Sequence, residues 1–128
     1  MPAYDGWQYD PPAAVAEVIL RDGVSGSSVP GVLLLIDSGA DTTLLPRYAV
    51  QNLELKTSDR PEYELVGFDG SRSKFPAVDI DMIFQNQIFR GRYLIIDSDR
   101  GILGRDILSS VAILLDGPRQ EWSVVKTQ

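Results

Sequence analysis

The chain has 128 residues, a hydrophobic fraction of 44% and a formal net charge of −6, which suits one folded domain with its own core and leaves too little length for two ordinary ones. The acidic balance, with no basic block, argues against nucleic acid and anionic membrane surfaces as partners. Cys and His are both absent, which removes disulfides, thiol nucleophiles, His-based triads and thiolate- or His-ligated metal centres.

Met1 to Pro12 is polar and aromatic without periodicity and reads as an extended arm, with Trp7 and Tyr9 available to dock on the body or on a partner. The arm is assigned to residues 1–14 and a single domain to residues 15–128. Val15 to Arg21 has strand character, and turn signals at Asp22-Gly23 and Gly26-Ser27-Ser28 predict a hairpin into Val29–Asp37. The continuous apolar run Val32 to Ile36 predicts a strand buried on both faces, carrying Asp37 to its end, where water is scarce and a lone charge is costly. Ser38 and Gly39 turn the chain at once. Pro46 suits the start of a short helix with Tyr48, Val50 and Leu53 facing inward, and Lys56 to Pro61 is a polar loop.

Glu62 to Val66 and Lys74 to Asp81 read as two strands joined through Gly67-Phe68-Asp69-Gly70-Ser71-Arg72-Ser73, with Asp69-Gly70 as the turn. Ile80 to Phe84 and Gln87 to Ile96 pair across Gln85-Asn86, and Tyr93 to Ile96 is central. Asp79 and Asp81 alternate with apolar residues, as on a solvated strand face. Gly104 opens a short helix through Ser110, Val111 to Leu115 is a core strand, Asp116-Gly117-Pro118 a turn and Glu121 to Lys126 a last strand. Many short strands with few helical residues predict a mainly β, closed, barrel-like sheet with one or two short helices.

Two motifs carry the chemistry. The first is Val32-Leu33-Leu34-Leu35-Ile36-Asp37-Ser38-Gly39-Ala40-Asp41, followed by Leu44-Leu45-Pro46. Asp-Ser-Gly alone is a common turn; an apolar run before it and Ala-Asp after it make a narrower pattern. The second, later in the chain, is Gly101-Ile102-Leu103-Gly104-Arg105-Asp106. In this order, over roughly residues 15 to 126, they resemble the retropepsin-like aspartic proteases.

That resemblance implies the acid-protease fold, with a hairpin flap at Gly67, Phe68, Asp69 and Gly70. It implies a homodimer in which each subunit supplies one catalytic Asp37, and a peptide or protein substrate, with no cofactor and no metal. Ser38, Gly39, Ala40 and Arg105 support the active-site loop, Ser38 standing where Thr is commoner. Gly39 and Asp41 meet the substrate main chain, Asp41 also pairing with Arg105, and Leu35, Leu44 and Ile102 line side-chain pockets. Terminal strands of the two protomers interleave in the family; Glu121 to Val125 is the candidate here, with the N-terminal arm as a second contributor. The bland alternatives are a structural ion pair for Asp41 and Arg105, and plain core packing for the three apolar residues.

Peptide hydrolysis by this machinery needs two carboxyls that share a proton: the charged one takes a proton from water and the neutral one bonds the carbonyl oxygen. A single motif per chain makes dimerisation a condition of activity. Two other readings stand beside this one. The domain keeps the fold but is catalytically weak or inactive, serving in dimerisation or peptide binding. Or Asp37, Asp41 and another acid hold Mg²⁺ or Ca²⁺ in a metal-assisted hydrolase. The absence of a bilayer-length apolar run and of a charged-then-apolar leader pattern leads to the expectation of a soluble, cytoplasmic protein.

Overall fold

A computed structural model describes residues 2–54, 62–66 and 72–126. Ten strands and two short helices follow one another as β1 (Tyr4–Asp5), β2 (Ala13–Arg21), β3 (Ser28–Ile36), β4 (Leu44–Pro46), α1 (Arg47–Gln51), β5 (Glu62–Val66), β6 (Arg72–Phe84), β7 (Gln87–Ile96), β8 (Gly101–Leu103), α2 (Arg105–Leu108), β9 (Ala112–Asp116) and β10 (Glu121–Val125). Eight of the strands form one sheet in the order β1-β2-β3-β8-β4-β7-β6-β5, and a further β2–β6 pairing closes its middle six into a barrel. The expectation of a mainly β, closed, barrel-like sheet with two short helices holds.

Period-2 patterning explains which face of each strand turns inward. Ala14, Ala16, Val18 and Leu20 of β2 are buried, as are Val32 and Leu34 of β3 and Val78, Ile80, Met82 and Phe84 of β6. Trp122 of β10 plugs the barrel: it is fully buried, stacks on Phe84 with ring centroids 6.0 Å apart, and donates its indole N–H to the Val15 carbonyl at 3.2 Å. The hairpin between β6 and β7 turns at Gln85 and Asn86, both at positive φ (51° and 64°), as a two-residue turn that follows the strands' twist requires.

Several expectations need correction. The run Val32 to Ile36 is buried on one face only, since Leu33, Leu35 and Ile36 are half-buried. Asp37 is half-buried too and sits at a surface turn. Asp81 is buried, not solvated. It lies opposite Arg21 of β2 and Arg90 of β7 in the strand register and pairs with both, at 2.9 and 3.4 Å. Asp79 does face water and pairs with Arg92 at 2.7 Å. In α1 the inner positions are Ala49 and Val50, with Leu53 beyond, while Tyr48 points outward, because the helix starts one residue after Pro46 rather than at it. The segments Lys74–Asp81 and Ile80–Phe84 are one strand, β6. The polar loop at Lys56 to Pro61 lies outside the described residues. Among the described residues no helix is long and apolar enough to cross a membrane.

Tyr93 of β7 is buried and donates its hydroxyl to the Phe89 carbonyl at 2.8 Å. Burial, then the charges of Asp106 and Asp81, push its phenol well above the ordinary value. The folded chain therefore holds this proton more tightly than the unfolded chain, so the stability it confers is complete below pH ~10 and lost as pH rises beyond that. Tyr93→Phe is expected to lose about 1 kcal/mol at neutral pH with the hydrogen bond and to flatten the alkaline loss, read from urea midpoints measured on either side of pH ~10.

Candidate active site

The parallel register of β3 on β8 sets Leu34 beside Gly101, Leu35 beside Ile102 and Ile36 beside Leu103, and β4 joins at Leu44 opposite Ile102. Strands of three residues are held here by close packing. A Cβ on Gly101 would stand 2.1 Å from the Leu44 carbonyl oxygen, and one on Gly104 2.6 Å from the Thr42 carbonyl carbon, so both positions need glycine for backbone to meet backbone. The two sequence motifs thus lock together.

Asp37 comes just after β3 ends. Its N–H donates to the Leu103 carbonyl at 3.1 Å, and its own carbonyl accepts from the Ala40 N–H at 3.2 Å. The Gly39 N–H donates to Asp37 Oδ1 at 2.9 Å, which fixes the side chain over the turn. Among the described residues no other hydrogen-bond partner meets this carboxyl. Ser38, Gly39 and Asp41 are exposed and Ala40 is half-buried.

Arg105 straps this loop from the start of α2. Its backbone N–H donates to the Ala40 carbonyl at 2.9 Å. Its guanidinium donates to the Ser38 carbonyl at 2.6 Å and pairs with the Asp41 carboxylate. So the structure brings together Asp37, Ser38, Gly39, Ala40, Asp41 and Arg105, all singled out from the sequence. Leu35, Leu44 and Ile102 are half-buried neighbours on three adjacent strands. The flap candidates Gly67, Phe68, Asp69 and Gly70 lie outside the described residues. Among the described residues no three Asp, Glu, His or Cys side chains are grouped to hold a metal ion.

Two parts of this neighbourhood escape the sequence reading. Thr43 is fully buried and donates its hydroxyl to Asp106 Oδ1 at 2.7 Å, while its N–H donates to Asp106 Oδ2 at 3.1 Å. Thr43 Oγ1 in turn accepts from the Gly104 N–H at 3.0 Å. The active-site loop is therefore pinned to α2 at both ends, by Arg105 and by Asp106. The other part is the N-terminal arm, whose Asp5 pairs with Arg100 just before β8. Neither pairing shows a local spacing signal, since the partners lie 63 and 95 residues apart.

A solved structure described as EIAV protease complexed with the inhibitor HBY-793 matches this chain with a TM-score of 0.55 and 24% identity, over 77% of this chain and 86% of that one. The chain has the fold of a retroviral protease. At that identity the likeness is one of fold. No protein-family model matches the chain, and no curated protein matches it. Within this chain the Asp37 loop and its Arg105 strap follow directly on β3 and β8, whose Leu35 and Ile102 stand in register with each other and with Leu44 of β4.

Proposed function

We propose that this chain is a homodimeric aspartic endopeptidase, in which Asp37 of each subunit contributes one of two carboxyls that activate a water between them. The observation that carries this reading is the Asp37 loop itself. The carboxyl is oriented by the Gly39 amide, and the loop's backbone is clamped by Arg105 through the Ser38 carbonyl. A carboxyl held this way, with no partner charge among the described residues of its own chain, suits a proton shared with a second carboxyl. The retroviral-protease fold supports the same reading.

The edge of the two-stranded sheet that contains Glu121 to Val125 suits a second copy. β9 pairs with β10 along one edge, and the arm of the same chain meets the start of the other, with Trp122 N–H donating to the Pro2 carbonyl at 3.0 Å. The outer edge of β9 has no strand beside it among the described residues. Its Leu114 and Leu115 are 51% and 54% exposed. An apolar, unpaired edge is a template for another strand, and the matching edge of a second copy is the occupant that would complete a two-carboxyl site.

The test couples the two claims. Purified protein is assayed on a library of extended peptides, with a transition-state analogue bearing a central hydroxyl as inhibitor, across a dilution series monitored by sedimentation. Activity per chain is expected to follow the dimer fraction, and Leu114→Lys to weaken dimerisation about 10-fold or more, since Leu114 is 51% exposed and each of the two copies removes roughly half of a full leucine burial, ~1 kcal/mol. Activity that stays constant on dilution into monomer would reject the shared site. Peptide binding without cleavage would instead favour a peptide-binding module.

A further inference from the structure

The N-terminal arm reaches the pocket beside the candidate catalytic residue. Leu35 and Ile102 face out of the barrel, on the opposite side of their strands from buried Leu34 and Leu103. Asp37 follows Leu35 by two residues, ~6.5 Å further along the chain direction. Leu35 and Ile102 line a cleft of about 320 Å³ together with Ile96, Gly101 and the polar Ser98, Asp99 and Arg100, and Gln8 and Tyr9 of the arm make a further side.

The arm is held there by charge. Arg100 donates to Asp5 Oδ2 at 2.5 Å, with both side chains largely shielded from water at 19% and 16% exposure. The other oxygen, Asp5 Oδ1, accepts from the Trp7 and Gln8 amides at 2.8 and 3.1 Å. One carboxylate therefore ties the arm's turn to the barrel. The Gln8 amide above all, with the Trp7 amide and Arg100, holds this carboxyl below the usual carboxylate range against the opposing effect of burial. The Arg100 guanidinium also stands over the Tyr9 ring, 5.7 Å from its centroid, a favourable cation–π arrangement. Gln8 and Arg100 line a second, larger cavity of about 800 Å³ between the arm and the outer face of β2 and β3. They thus form the partition between the two spaces.

We propose that the Asp5–Arg100 pair makes the arm a wall of the substrate pocket, and that Tyr9 sets the preference for a large aliphatic or aromatic side chain next to the scissile bond. This rests on the endopeptidase reading above. Three branched aliphatic side chains and one aromatic ring make the pocket apolar on several sides. The one cation in it is already paired with Asp5 and Asp99 adds a carboxylate to the lining, so an acidic side chain is disfavoured. Tyr9 lines the pocket directly; Asp5 and Arg100 act through the arm and are positioning residues.

The experiment uses the full chain and two fluorogenic peptides that differ only in Phe or Ala at one residue flanking the cleaved bond, assayed in both flanking positions. The wild type is expected to prefer Phe by about 30-fold in kcat/KM, within the range a hydrophobic pocket achieves. Tyr9→Ala should lower that ratio about 10-fold, chiefly by raising KM for the Phe peptide, and Tyr9→Phe should retain it. Asp5→Ala and Arg100→Ala should reproduce the drop, with Arg100→Lys keeping part of the preference. Thermal melting identifies any variant that has lost its fold; Tyr9, on the arm and outside the core, then decides the question. A ratio unchanged in Tyr9→Ala, in an enzyme that still cleaves, overturns the assignment while leaving the endopeptidase reading intact. A wild type that cleaves neither these peptides nor the library overturns both.

Discussion

Asp37→Asn is expected to reduce peptide cleavage by about 10⁴-fold, equivalent to ~5.5 kcal/mol of transition-state stabilisation, with the fold and the dimer intact. The substitution is close to isosteric. Asn retains an Oδ1 that can accept the Gly39 N–H, the bond that orients Asp37 now, so the turn has no reason to change. What disappears is the ability to exchange a proton at neutral or mildly acidic pH. On the proposed reading, two carboxyls facing each other across a dimer axis cannot both ionise cheaply, so the pair shares one proton. The pH profile of kcat/KM should be bell-shaped for that reason. In the variant both groups are neutral at every pH, no base takes the water's proton, and the profile should be flat at background. Removing the negative charge that the pair shares should leave dimerisation as strong or make it stronger. The measurements are kcat/KM on a fluorogenic peptide across the acidic and neutral range, sedimentation, and thermal melting. An Asn variant with wild-type turnover would show that hydrolysis, if present, is done elsewhere.

The barrel was readable from the sequence because its long strands have a period or an apolar run. β2 alternates in burial along its length, Val32 to Leu35 of β3 do so within a continuous apolar run, Tyr93 to Ile95 of β7 are an unbroken buried run, and the Gln85-Asn86 turn adopts the positive φ that its residue types allow. The Asp37 loop was readable because an apolar run ended in an acid and a glycine. The elements that were missed are short or depend on partners distant in sequence. β4 and β8 have three residues each, too few for any periodicity; they exist because Gly101 lets β8 close on the Leu44 carbonyl. Asp81 looked solvated because its own strand alternates. Only the barrel closure reveals that Arg21 and Arg90 cover it from both sides. The same closure leaves Leu33 and Leu35 on an outer face that the arm only partly covers, so the apolar run is not buried on both sides. The arm's docking and the Thr43–Asp106 link are likewise products of tertiary structure. Each joins two residues whose local context says nothing about the other.

That link supplies the second large effect. Asp106→Ala is expected to destabilise the chain by about 3 kcal/mol, through the loss of hydrogen bonds to a charged group and the exposure of two unpaired donors. Asp106 accepts both the hydroxyl and the N–H of Thr43; Thr43 is fully buried while Asp106 is exposed, so water entering the space of the lost carboxylate recovers only a part of these bonds. At this chain length ~3 kcal/mol corresponds to a fall in melting temperature of roughly 10 °C. Asp106→Asn should cost less, because its amide oxygen can still accept the Thr43 hydroxyl while its NH₂ cannot accept the Thr43 N–H. Thr43→Val probes the same chain of bonds from the other side: it removes the acceptor for the Gly104 N–H and the donor to Asp106. If the three groups act as one unit, the double variant should lose clearly less than the sum of the single losses. The effect on cleavage should exceed the loss of folded protein, because Thr43 and Arg105 hold opposite ends of the loop that carries Asp37, and a small displacement of a reacting group is enough to slow hydrolysis strongly. Comparing kcat at a temperature where every variant is folded separates the two effects. If Asp106→Ala melts with the wild type and turns over with it, the network is incidental and Arg105 alone positions the loop.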